Sequence, residues 1–132
     1  MSLEPAVVAF KVQFTSFQNG LRAFVTGYNG TFECTLGYWR AIAAEVRRTR
    51  PAQLLVVDVL DGGVPPPHQL LAFVQAMTAE DIRDLRIAYV EDKPESIGKV
   101  ELAGIFAQER GFTVQVFDDE GQALRWLRYG GD

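Results

Sequence analysis

Leu54-Leu55-Val56-Val57 places four apolar side chains in succession inside the segment 53–59. A strand with one wet face alternates apolar and polar residues, so an unbroken run of this kind predicts a strand covered on both faces. Such strands belong to parallel sheets, whose neighbours are joined by crossovers long enough to hold a helix. The downstream spacing agrees. Strands are predicted at 85–90 and 112–117, each preceded by a helix-sized stretch.

Helical periodicity supplies those stretches. Leu36, Trp39, Ile42, Ala43 and Val46 predict a helix from Thr35 to about Thr49, stopped by Pro51. Leu70, Leu71, Val74 and Met77 predict a second over 68–77, with Pro67 near its first position. Thr78 is placed to cap a short turn over 79–84. Ile97, Val100, Ala103, Gly104 and Ala107 share one face of a third helix, opened by Pro94 or Ser96 and ended by Gly111. Asp119 and Gln122 form a capping box for a fourth, with Ala123, Leu124 and Leu127 inward and Trp126 anchoring it on the core. Upstream, 7–14 and 21–28 read as strands joined through Asn19-Gly20, an antiparallel hairpin, and Asn29-Gly30 redirects the chain. The order is ββαβαβαβα: an α/β sandwich on a mixed sheet, one domain over 1–132.

Composition removes several function classes. The 132 residues carry 13 basic and 17 acidic side chains, a net charge of −4, which argues against a nucleic-acid partner. The one basic cluster, Arg40, Arg47, Arg48 and Arg50, falls at a predicted helix C-terminus, where cations complement the dipole. A single cysteine, Cys34, and a single histidine, His68, fall short of a disulfide framework or a structural zinc site, and no cofactor is expected. No apolar stretch approaches the ~20 residues of a membrane span, and the first five residues lack the basic and apolar regions of a signal peptide. A cytoplasmic protein is expected, and a homodimer stays open.

In parallel sheets ligands gather beyond the carboxyl ends of the strands. Asp58, Asp61, Gly62, Gly63, Glu91, Asp92, Lys93, Asp118 and Asp119 fall there, with His68 at the next helix start. Carboxylates beside a lysine suit acid–base work or phosphoryl acceptance, so a small enzyme or phosphoacceptor using Asp58, Asp61, Glu91, Asp92 and Lys93 is the alternative reading. Asp and Gly also end strands and cap helices whatever the function. A receiver-type phosphoacceptor needs an acidic pair after the first strand, where this chain has Gln13-Phe14-Thr15-Ser16. No phosphate-cradling glycine motif and no nucleophile elbow occurs. The aromatics Trp39, Trp126, Phe10, Phe24, Phe73, Phe106 and Phe117 read as ordinary core that could also line an apolar pocket.

The hairpin-then-helix opening, Leu54-Leu55-Val56-Val57-Asp58, Arg86-Ile87-Ala88-Tyr89-Val90 and the stretch from Val116 to Leu127 together resemble the SpoIIAA-like proteins, which are related to the STAS domain. The likeness runs through nearly the whole chain. It implies a non-enzymatic binding or regulatory module, with a partner protein or a small apolar, lipid-like ligand. The family's phosphorylated serine at the start of the second helix has no counterpart, because 60–68 contains neither Ser nor Thr. No catalytic residue carries over. The expected binding residues are Asp61, Gly62, Gly63, His68, Glu91, Asp92 and Lys93.

Overall fold

The computed structural model describes residues 10–29 and 31–130. Its strands are β1 (Phe10–Phe17), β2 (Gly20–Asn29), β3 (Gln53–Asp58), β4 (Asp61–Gly62), β5 (Arg86–Glu91) and β6 (Thr113–Phe117). Its helices are α1 (Phe32–Thr49), α2 (Pro67–Met77), α3 (Ile97–Gln108) and α4 (Glu120–Tyr129). The sheet runs β1-β2-β3-β5-β6, antiparallel only between β1 and β2. The apolar run of β3 is central and buried on both faces, as its lack of alternation requires.

The faces are covered unequally. Leu54, Val56, Ile87 and Tyr89 face α1, α2 and α3, while Leu55, Val57, Ala88 and Val90 meet Ala123 and Leu127 of α4. Trp126 is half-buried on that second face, with the Arg86 guanidinium 4.1 Å above its ring and Phe117 at 5.8 Å.

Local differences from the sequence reading have local causes. The hairpin turn is Gln18-Asn19, with Asn19 at φ 64°, and Gly20 already belongs to β2. Gly20 is needed for another reason: a Cβ there would fall 2.1 Å from the Phe17 ring. β1 therefore extends past Phe14 to Phe17, and the expected strand residues 7–9 lie outside the described residues. Helix α1 starts three residues early because Thr31 caps it, its hydroxyl accepting from Cys34 N–H at 3.1 Å. Thr78 caps nothing downstream. Its hydroxyl donates back to the Gln75 carbonyl at 2.6 Å, and a short 3₁₀ turn over Thr78–Glu80 follows. Asp119 does cap α4, accepting from Gln122 N–H at 2.9 Å. The arginines of α1 are spent in ion pairs, Arg47 with Glu80 at 3.0 Å and Arg48 with Glu45 at 2.6 Å.

A candidate site beneath the third helix

The expected site residues divide into two groups. Asp61, in the two-residue strand β4 beside Tyr28, is exposed and lies 3.5 Å from Lys93 Nζ, which also meets Asp92 at 3.3 Å. These three form a surface ion-pair cluster. Glu91 is buried, only 3% exposed, its carboxylate accepting from Lys93 N–H at 3.1 Å. Gly62, Gly63 and Glu91 border a hollow of about 10 Å³ with Asp58, Leu60 and Ser96, room for one water. His68 is exposed in the first turn of α2 and lines neither this hollow nor the larger one described next.

A second cavity, of about 90 Å³, lies between the three-helix face of the sheet and α1, α2 and α3. Trp39, Phe73, Met77, Val100, Ala103 and Val116 are among its walls. Trp39 and Phe73 thus do line a pocket, whereas Phe24, Phe117 and Trp126 pack on the opposite face. The loop after β4 contributes Val64 and the buried Pro65, so the cavity adjoins the strand ends at which the sequence placed a site.

Its roof is α3. None of the residues of that helix is fully buried, although Val100, Ala103, Gly104 and Ala107 all line the cavity. The apolar face read from the sequence is the inward face, but it covers a hollow at the edge of the sheet and stays half-exposed.

The polar groups of the cavity lie on α1, β3 and β5. Asp58 and Tyr89 both point to the three-helix face, since Leu54, Val56 and Asp58 alternate on β3 as Ile87, Tyr89 and Glu91 do on β5. Tyr89 Oη donates to Asp58 Oδ2, Leu60 N–H donates to Asp58 Oδ1 at 2.8 Å, and the Tyr38 and Tyr89 hydroxyls are 3.0 Å apart. Burial, chiefly, lifts the Asp58 carboxyl above its ordinary range, against the pull of those two donors. Burial likewise pushes both tyrosines well above the usual phenol range. Glu91, adjacent to Asp58 in register, is pushed up to about 7 by burial first and then by the Asp58 charge.

Sequence reasoning missed Tyr38, Tyr89 and Thr35 at this cavity. The one available signal was Tyr89 itself, a hydroxyl within the apolar run from Ile87 to Val90, which has to find a partner when buried.

No protein-family model matches the sequence, and no curated protein matches it. Solved structures do match the fold. An anti-sigma factor antagonist from Mycobacterium paratuberculosis superimposes with a TM-score of 0.63 at 14% identity, over 93% of this chain and 97% of that one. An uncharacterized protein from Shewanella loihica with a SpoIIAA-like fold gives 0.56 at 13% identity, over 96% of this chain and 99% of that one. The mixed sheet, its single antiparallel pair and its four helices are those of a SpoIIAA-like fold.

Proposed function

We propose that this protein is a non-enzymatic regulatory module of the cytoplasm that binds a small apolar ligand beneath α3. The observation that carries the reading is the cavity of about 90 Å³, walled almost wholly by apolar side chains and ending in the Tyr38–Tyr89–Asp58 hydrogen-bond chain. Pockets for small ligands combine an apolar lining with a few converging polar groups in this way. Benzene occupies an engineered apolar cavity of ~150 Å³, so a short chain suits this one as it stands, and a five-carbon ring, about as bulky as benzene, fits with a small outward shift of the half-exposed α3. A longer, lipid-like tail would have to lift α3, the least buried of the covering helices. Among the described residues no helix is long and apolar enough to cross a membrane.

A second reading places a partner protein on the adjoining loop edge, at Asp61, Gly62, Gly63, His68, Asp92 and Lys93. All of these but the half-buried Lys93 are exposed. One protein of this fold is an anti-sigma factor antagonist, a regulatory name that fits either occupant. The enzyme alternative is less well supported. Asp58 is 4% exposed and both its oxygens are engaged in hydrogen bonds, which counts against its serving as a phosphoryl acceptor.

Cyclopentane titrated into labelled protein, followed by NMR at Val100 and Ala103, tests the cavity reading. Shifts confined to cavity residues are expected, and Ala103→Leu, which fills the space, should abolish them. Shifts that are absent, or unchanged in Ala103→Leu, would overturn it. Native mass spectrometry of the purified protein then identifies any molecule it carries.

A further inference from the structure

We infer that the cavity selects ligands that donate a hydrogen bond, because the Tyr38–Tyr89–Asp58 chain has a fixed direction and presents only an acceptor at its open end. This rests on the cavity reading above and adds the chemistry of the ligand's polar atom.

The direction follows from counting protons. Two donors converge on Asp58, the Leu60 N–H on Oδ1 and the Tyr89 hydroxyl on Oδ2. An ionised carboxylate is acceptor-only, so it takes both. Tyr89 has a single proton and spends it on Asp58. The 3.0 Å contact between the two phenols must then be donated by Tyr38. Tyr38 in turn has no proton left, so at the cavity it helps to line its hydroxyl can only accept. Thr35, on the same wall, is itself already partnered.

A hydroxyl or N–H on an otherwise apolar ligand therefore completes the chain. A ketone, ester or ether oxygen of the same shape would face the Tyr38 lone pairs and lose its hydration without replacement. A buried polar group left unpaired in this way costs enough to set affinities apart by about tenfold or more.

Cyclopentanol and cyclopentanone share a carbon skeleton and differ in this property, with cyclopentane as the apolar reference. Cyclopentanol should bind at least about tenfold more tightly than cyclopentanone. Asp58→Asn reverses the chain. Its amide oxygen can accept from Leu60 N–H while its NH₂ donates to Tyr89, which then donates to Tyr38 and frees the Tyr38 proton for the cavity. The variant should bind cyclopentanone about tenfold better than the unaltered protein does, with cyclopentanol little changed. Tyr89→Phe frees the same proton without touching the Leu60 turn, and should move the ketone in the same direction if Asp58→Asn fails to fold.

A merely structural disturbance would move both ligands together. Equal affinities in the unaltered protein, or a parallel loss of both ligands in the two variants, would overturn the inference while cyclopentane binding kept the cavity reading intact. Failure of cyclopentane itself to bind would overturn both.

Discussion

Helix α4 is poor in apolar residues, yet its Ala123 and Leu127 are 0% and 2% exposed, whereas the far more apolar α3 has no fully buried residue and leaves Ile105 51% exposed. The difference lies in arrangement. In α4 Ala123, Trp126 and Leu127 fall on one stripe, while Leu124, expected inward with them, turns to solvent, and the helix is pinned at both ends. Glu120 in its first turn takes a two-pronged ion pair from Arg22, and its last carbonyls accept from Arg86 and Gln53. In α3 apolar residues surround the axis, so no single face commits the helix to the sheet. It lies over the edge strand β6, with a hollow beneath it. Hydrophobic content alone does not produce burial; its angular distribution and the polar contacts at the helix ends do.

The largest expected effect contrasts the two helices directly. Leu127→Ala should cost about 2–5 kcal/mol, since it opens a void in a closely packed layer. Val100→Ala, beside an existing hollow, should cost about 1 kcal/mol or less. Urea midpoints of the two variants measure the difference, and equal losses would break the contrast.

A second test uses the buried carboxylates that continue the three-helix face. Glu91 ionises at about 7 in the folded protein against 4.5 in its ordinary state, so the folded chain holds an extra proton between these values. Stability should therefore fall as pH rises from about 4.5 through about 7 and then level off, by up to about 3 kcal/mol. Asp58, also raised, acts with the same sign. Glu91→Gln should flatten most of this slope in denaturation curves taken across the range. A slope that survives unchanged would mean that Glu91 is solvated.

The smallest effect has the opposite sign. Gly104 sits inside α3, and a Cβ there would meet Val116 Cγ2 at 3.5 Å, an ordinary contact. Gly104→Ala should raise stability by about 0.5–1 kcal/mol through helix propensity, while narrowing the cavity and weakening cyclopentane binding. A loss of stability would show that the roof is tighter than its exposure suggests.

Much of this fold was legible in the sequence, because periodicity and strand-to-helix spacing act locally. The apolar run at 54–57 specified a central parallel strand, and the Asp119 cap and the Pro67 start were readable from single residues. The two-residue strand β4 was not, since a pairing of Asp61–Gly62 with Tyr28–Asn29 leaves no pattern of its own. The site was legible only as a neighbourhood. The carboxyl edge of the sheet adjoins the cavity, and Asp58 and Glu91 were singled out, but Asp61, Asp92 and Lys93 form a surface cluster while the cavity lies behind them. Its walls come from α1, α2, α3 and three strands, and the pairing of Tyr89 with Asp58 depends on register between β3 and β5, which neither segment encodes alone. The shallow burial of α3 was not legible, because a helical stripe shows which side faces inward and not how much material lies beneath it.

Asp58 has two duties that most replacements at that position would lose together. One oxygen holds the Leu60 turn that leads the chain into the loop of Val64 and Pro65, and the other sets the direction of the tyrosine chain. A lineage or a designer wishing to change the ligand's chemistry by altering this carboxylate to anything but Asn would disturb the wall of the pocket in the same step. Tyr89 offers the wider route, since its hydroxyl takes part in the chain and not in the turn. Related sequences that keep Asp58 are therefore expected to diversify at Tyr38 and Tyr89, so that a recognition preference drifts over a loop shape that stays the same.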